Sequence, residues 1–269
     1  MNKILWKNIK GNLREQTYVS IDIETTGVDF VKDRVIEIGL VKWKNNAQKE
    51  KLHSLFNVDV PVSQHSFAIH GITNRVLKNA PYFYEVADKI EDFLKDSIII
   101  GFSYQSLDFG MLNKELRYAG KKPIYNPFID VQTVSRTVFE GVPKNVGLVR
   151  LARSLNIEVV TSHRALPDAL LTMKIWLRIM DRLKGLGIDN IEDFLNSKYY
   201  NFKIMPKVAE IFKIAWEKRE VTIKYNSPYN GKMIRVIEPL AFRGRRIDAY
   251  CHIREDFRSF VIDRIIAYW

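Results

Sequence analysis

Cysteine is nearly absent from this chain: Cys251 is the only one in 269 residues. A single thiol excludes an internal disulfide framework, and with only His252 beside it and no CxxC elsewhere it makes no zinc site, so a packed structural role is expected. Long apolar runs are missing as well. None approaches the roughly 20 residues that span a bilayer, and Met1–Gln16 is a mixed polar segment without the apolar stretch of a signal peptide, so no membrane partner and a cytoplasmic location are expected. Compositional bias is absent too. With 46% hydrophobic and 27% charged residues, the chain is neither disordered throughout nor collagen-like or low-complexity. Acidic residues are in short supply. The 42 Lys and Arg outnumber the 31 Asp and Glu and leave a net charge of +11, which suits a polyanionic partner because clustered basic side chains bind phosphates by releasing counterions.

A chain of this length buries a full core and is read as two domains. The organising stretch is Thr17–Gly27, TYVSIDIETTG, a β-branched and aromatic run that breaks into hydroxyls and a glycine. In a strand Val19, Ile21 and Ile23 face one way and Ser20, Asp22 and Glu24 the other. Two adjacent carboxylates raise each other's pKa and repel, a cost met when hard divalent cations lie between them. An edge strand with a solvated acidic face explains the same pattern, and the dipeptide alone does not choose.

Strands are expected at Arg34–Trp43 and Lys51–Val58, antiparallel through a turn at Asn45 and Asn46. A loop and short helix occupy Gln64–Val76. A crossover helix follows at Tyr82–Lys95, then a buried strand at Ser97–Gly101, a helix at Leu107–Ala119 and a short strand at Phe128–Asp130. Helices at Asn145–Leu155 and Leu166–Leu183 complete a mixed α/β sheet flanked by helices. Gly185–Gly187 lacks the third glycine and preceding strand of a dinucleotide site and reads as a helix stop. Residues 190–216 look helical. From Glu220 the period switches to two, with a turn at Asn226–Gly231, a return strand through Ile234 and Val236, and strands at Ile247–Ile253 and Phe257–Ile262, a small barrel or half-barrel.

Three later residues have the chemistry to complete a metal site. Asp108 falls near the start of the helix after the buried strand, at the strand end where catalytic groups collect in parallel sheets; helix-terminus charging is the plainer reading. In SHRALPDA, Ser162–Ala169, Pro167 is tolerated in a first helical turn, which puts Asp168 at a helix start and His163 in the loop before it, able to swing over the carboxylate. A lone histidine is otherwise a hydrogen-bonded structural residue.

Taken in order, AspIleGluThrThrGly, the Gly-containing element ending in Asp108, and HisArgAlaLeuProAspAla resemble the DnaQ-like 3′–5′ exonucleases, in the subgroup whose fifth residue is histidine. HisGlyIleThr at 70–73 is similar to a loop of the proofreading members, and the resemblance covers about residues 15–183. It implies a ribonuclease H-like fold and two-metal phosphodiester hydrolysis, with Mg²⁺ or Mn²⁺ ions about 4 Å apart. By the resemblance Asp22, Glu24, Asp108 and Asp168 hold the metals and His163 takes the proton from the attacking water, a role open to imidazole at neutral pH. Thr25, Thr26, Gly27, His70 and Tyr104 become candidates for the 3′-terminal nucleotide, of DNA rather than RNA, with a polymerase or repair protein as further partner. The chain departs from the family at Ser103 and Leu107, where Asn and Phe are common. An RNA 3′-end exonuclease, or a regulator with an inactive nuclease-like scaffold, are the competing functions.

From 213 to 269 there are 12 Lys and Arg against 7 Asp and Glu, with aromatics interleaved. Stacking aromatics beside arginine is one way single strands are held; a barrel core of aromatics with arginines outside is the other reading. AlaTyrCysHisIleArg followed by PheArgSerPheValIleAspArgIle resembles the WYL domain, an Sm-like β module. The resemblance makes Arg254, Arg258 and Arg264 candidate ligand residues, with Arg245, Arg246 and Ile247 at the Trp-Tyr-Leu positions. The expected segments are 1–183, a nuclease domain; 184–215, a helical linker; and 216–269, the β domain. If the β domain holds nucleic acid, a chain ending near Leu183 is expected to keep catalysis with weaker, less salt-sensitive substrate binding.

Overall fold

The computed structural model describes residues 6, 9–103, 108–160, 163–200 and 205–269; Tyr104 lies outside them. Strand β1 (Tyr18–Thr25) is the middle of a five-stranded sheet ordered β3-β2-β1-β4-β5, with β2 at Val35–Lys44, β3 at Ala47–Leu55, β4 at Ile98–Gly101 and β5 at Phe128–Asp130. β2 runs antiparallel to β1 and β3, whereas β4 is parallel to β1 and β5 to β4. Asn45 and Asn46 close the β2–β3 hairpin with φ of 50° and 58°, the left-handed pair that asparagine tolerates in a two-residue turn. β3 starts four residues before the expected Lys51 and stops three short of Val58. Its AlaGlnLysGluLys half is an exposed edge with no apolar alternation to read.

The two faces of β1 meet different helices. Val19, Ile21 and Ile23 pack with Ala87, Ile90 and Leu94 of one helix and with Phe109 and Leu112 of the next. For these helices, α1 is Gln64–His70, α2 Asn74–Leu77, α3 Phe83–Leu94 and α4 Asp108–Tyr118. Tyr18, on the opposite face, packs edge-on against Trp176 with ring centroids 5.5 Å apart. Trp176 belongs to the long helix α7 (Ala165–Gly185), which follows α5 (Val131–Val138) and α6 (Leu148–Ser154). The acidic face of β1 is therefore an interior face under α7, which excludes the solvated edge strand.

α5 is absent from the sequence reading. ValGlnThrValSerArgThrVal carries little apolar content, and the helix is started by Asp130, whose side chain accepts from Gln132 N and Thr133 N. α7 stops where the glycines indicate, with Gly187 at φ 78° and Ile188 N donating to Leu183 O at 3.0 Å. The 184–215 segment is divided between two cores. Ile191 and Phe194 of α8 (Ile191–Asn196) join the nuclease side, and Val208, Ile211 and Phe212 of α9 (Pro206–Lys218) join the other.

The C-terminal part is an antiparallel five-stranded sheet ordered β10-β6-β7-β8-β9: β6 Val221–Ser227, β7 Gly231–Arg243, β8 Arg246–Cys251, β9 Asp256–Val261 and β10 Ile265–Tyr268. β9 and β10 end the order. β10, four residues long, carries no alternation long enough to read in the sequence. Cys251 is fully buried in this core beside Ile237 and Phe260. Phe242 and Phe260 also turn inward, as the core reading of the aromatics has it, while Tyr229 is 91% exposed. β7 lies against α4. Asn113 Nδ2 donates to Leu240 O at 2.7 Å, Tyr125 OH to Pro239 O at 2.8 Å, and Arg117 pairs with Glu238 at 2.7 Å. A cut near Leu183 would strip this cover from α4.

Candidate active site

The site begins at the β1–β2 ladder, where Asp22 stands opposite Gly39 and Glu24 opposite Glu37. Cross-strand partners share a face, so Glu37 and Gly39 look toward α7 together with the two acids. A Cβ added to Gly39 would run into the backbone of Ala165 and Leu166; the glycine is what lets the first turn of α7 lie directly on β2. Glu37 holds that turn in place. Fully buried, it accepts from Ala165 N at 3.1 Å, from Arg164 Nε at 3.0 Å and Nη2 at 2.6 Å, and contacts His53 Nε2 at 2.7 Å. α7 has no side-chain cap from its own N-cap residue, and the carboxylate of the neighbouring strand satisfies it instead. Burial pushes the Glu37 carboxyl up, but the hydrogen bonds from Arg164, His53 and Ala165 outweigh it and hold it below the usual carboxylate range.

Seating α7 on Gly39 brings Asp168, in its first turn, over the β1 acids. Asp22, Glu24 and Asp168 each offer an oxygen, and the three lie within 4.8 Å of one another. His163 sits just before the helix in the left-handed region, φ 60°, and its backbone N–H donates to Asp168 Oδ2 at 2.8 Å. The other oxygen, Asp168 Oδ1, is buried with no hydrogen-bond partner among the described residues. Asp108, the first residue of α4, lines the same cleft but is not one of the three converging oxygens. Burial pushes Asp22 well above the carboxylate range, and the charges of Asp108, Glu24, Asp168 and Glu37 add to it. Glu24 is pushed up to about 8 by burial and then by Glu37, Asp168 and Asp108. Burial raises Asp168 as well, against the opposing bond from His163. Acidic oxygens that resist ionising together, one of them buried without a donor, fit a divalent cation, whose charge reverses this penalty.

These groups line an open cleft of about 670 Å³. His163 is exposed at its rim. Thr25, Thr26, Gly27 and His70 are not among the residues that line the cleft. Thr25 Oγ1 donates to Gly27 O at 2.6 Å. Thr26, fully buried, donates to Asp33 Oδ1 at 2.8 Å and accepts from Arg34 N at 3.0 Å. At Gly27 any Cβ would strike the Asp33 carboxylate. His70 Nε2 lies 3.3 Å from Thr25 O, and its Nδ1 accepts from Ile72 N at 3.0 Å; burial pulls its pKa down. The wall itself includes residues the sequence reading passed over: Ile69, Phe102, Leu148, Val149, Arg150 and Arg153. The two arginines, exposed on α6, line the same cleft as the carboxylates. Their three-residue spacing on a helix puts them on one side, a signal readable once α6 is known to flank the site. Glu37 and Gly39 were legible only as members of a strand. Arg245, Arg246, Arg254, Arg258 and Arg264 are all exposed, Arg246 and Arg258 on strands of the C-terminal sheet and the others in its connections, with Arg245 paired with Asp263 and Arg258 with Asp256.

Comparison with known proteins shows the family of each part of the chain. The sequence model of the Exonuclease family matches residues 19–176, and that of the WYL domain residues 206–268. The DNA polymerase III subunit epsilon of Aquifex aeolicus is 32% identical over 203 residues, 74% of this chain and 94% of that protein. The PolC-type DNA polymerase III of Caldanaerobacter subterraneus subsp. tengcongensis is 27% identical over 200 residues, 74% of this chain. The chain spans only 14% of that PolC-type relative's length. Among solved structures, the zinc-bound form of E. coli exonuclease I with single-stranded DNA superposes with a TM-score of 0.59 at 17% identity, over 88% of this chain and 54% of that one.

Proposed function

We propose that this chain, which belongs to the Exonuclease family and carries a WYL domain at its C-terminal end, is a metal-dependent 3′–5′ exonuclease acting on DNA. The observation that carries the reading is the convergence of Asp22, Glu24 and Asp168 within 4.8 Å, on a cleft shared with Asp108 and His163.

In this reading Asp22, Glu24, Asp108 and Asp168 hold two divalent cations, Mg²⁺ or Mn²⁺. Bound there, such ions supply activation of a water and stabilisation of the leaving 3′ oxygen. His163, exposed at the cleft's edge, accepts the proton of the attacking water, and its N–H bond to Asp168 ties its backbone to that carboxylate. Arg150 and Arg153 take backbone phosphates in the cleft. Thr25, Thr26, Gly27 and His70 shape the end of the cleft behind the terminal nucleotide, with Tyr104 as a further contact. The C-terminal sheet, an Sm-like half-barrel, carries the strand onward on Arg245, Arg246, Arg254, Arg258 and Arg264. The kinship with DNA polymerase III subunits supports DNA over RNA and a polymerase or repair partner.

The deciding experiment compares 3′-end-labelled and 5′-labelled single-stranded DNA, duplex DNA and RNA, in Mg²⁺, in Mn²⁺ and with EDTA. Stepwise shortening of DNA from the 3′ end, abolished by EDTA, is expected. Faster turnover of RNA would overturn the DNA preference, and no turnover of any polymer would leave the chain a nuclease-like scaffold.

A further inference from the structure

Helix α4 has no solvent side over most of its length: every residue from Phe109 to Leu116 is buried, with Asn113, Lys114 and Glu115 at 1% exposure or less. A surface helix ordinarily leaves its polar stripe in water. Here three consecutive polar residues reach three different places. Asn113 crosses to Leu240 O of the C-terminal sheet. Glu115 accepts from Arg34 Nε and Nη2, both at 2.7 Å, and from Val35 N at 3.2 Å. Lys114 Nζ donates to Phe30 O, Val31 O and Asp33 O at 2.8, 2.9 and 2.7 Å, which uses all three of its donors. The same ammonium faces the ring of Phe30 at 5.7 Å and that of Phe257 at 5.6 Å. The first of these rings belongs to the nuclease part and the second to the C-terminal sheet, and they meet edge to face, 6.0 Å apart.

This junction adjoins the metal ligands. The 28–33 loop follows β1, which ends at Thr25, one residue past Glu24, and α4 begins at Asp108. Two residues into α4, a Cβ at Gly110 would lie 3.3 Å from Ala241 Cβ, 3.5 Å from the Phe30 ring and 3.6 Å from the Asp248 carboxylate. The loop, the helix and the C-terminal sheet therefore come together one helical turn from Asp108.

We infer that the C-terminal domain is a working part of the metal site: through Asn113, Lys114 and Phe257 it clamps α4 against the 28–33 loop and so sets the position of Asp108 relative to Asp22 and Glu24. The inference rests on the reading of these carboxylates as metal ligands. Lys114 is a positioning residue, acting through the helix and the loop. Groups that orient metal ligands typically carry about 10–100-fold in metal affinity, and a change of that size is the quantity to measure.

The test uses the full chain and Mn²⁺ alone as the probe. Lys114→Met keeps the length of the side chain and removes its donors; Phe257→Leu thins the clamp from the other side without touching a polar group. Calorimetric Mn²⁺ affinity is expected to fall about tenfold or more in Lys114→Met and by a smaller factor in Phe257→Leu. On a labelled oligonucleotide kcat should drop while KM stays. Lys121→Met, on the exposed loop after α4, should change neither. Should Lys114→Met fail to fold, Phe257→Leu and Gly110→Ala decide by the same titration. Mn²⁺ binding lost in Asp22→Asn but at wild-type strength in the folded clamp variants overturns the clamp alone. Mn²⁺ binding undiminished in Asp22→Asn overturns the reading of the site, and the clamp with it.

Discussion

Gly39 lies directly beneath the backbone of Ala165, closer than any side chain would allow. This contact between the second strand and the start of α7 sets Asp168 over Asp22, the cross-strand partner of Gly39. Gly39→Ala should lift the first turn of α7. Overpacking of this kind costs about 1–3 kcal/mol, and a misplacement of about 1 Å in a catalytic group costs on the order of 10² in rate. A lowered melting temperature with a much larger loss of exonuclease turnover is expected; full turnover in the variant would sever α7 seating from catalysis.

His163 is held in the left-handed region, where asparagine is at home and β-branched residues are strained. His163→Asn should keep the loop, and with it the N–H bond to Asp168, while removing the base. Turnover should fall by about 10²–10⁴ with an unchanged circular dichroism spectrum and unchanged Mn²⁺ affinity. Wild-type-like turnover on a 3′-labelled oligonucleotide would remove His163 from the mechanism.

Without metal the site makes stability depend on pH. Glu24 rises from its ordinary 4.5 to about 8 on folding, so between those values the folded chain holds a proton that the unfolded chain has lost. The stabilisation is complete below about 4.5 and is lost as pH rises through about 8. Asp22 and Asp168, raised for the same reason of burial, act in the same direction. Lys114, pulled down to about 8 by burial, has the opposite slope, but only between that value and its ordinary 10.5. Melting temperatures in EDTA should therefore decline from pH 5 to pH 8, and excess Mg²⁺ or Mn²⁺ should flatten the decline. A flat profile in EDTA would show that the acids are ionised without a cation.

Arg150→Gln and Arg153→Gln should weaken binding of oligonucleotides about equally for all sequences. Each should also reduce the slope of log affinity against log salt by about one, as expected for a lost phosphate contact. Filter binding in Ca²⁺ across a salt series measures both; an unchanged slope would place the strand elsewhere.

The strand at Thr17–Gly27 was legible because period-two alternation is a local property, and so were the order of the acids and the loop setting of His163, which Pro167 dictates. Its central place in the sheet was not, since a central strand and an edge strand can share one alternation. Glu37 and Gly39 illustrate the limit. Both read as ordinary members of Arg34–Trp43, because what makes them matter is a helix more than a hundred residues away. α5 places Val131, Val134 and Val138 on one face, but its eight residues span barely two turns, and the four residues of β10 are too few to show an alternation. The union of the two domains was hidden for a further reason: Asn113, Lys114 and Glu115 look like the wet side of a helix, and only the structure shows them buried.

Cys251, buried in the C-terminal core and the sole thiol of the chain, gives that core a built-in clock. A thiol reagent reacts with it only in the moments when the core opens, so the labelling rate of the native protein measures how often it does so. Followed with and without Mn²⁺, that rate tells whether ions bound between Asp22, Glu24 and Asp168 also quieten the sheet at the far end of α4.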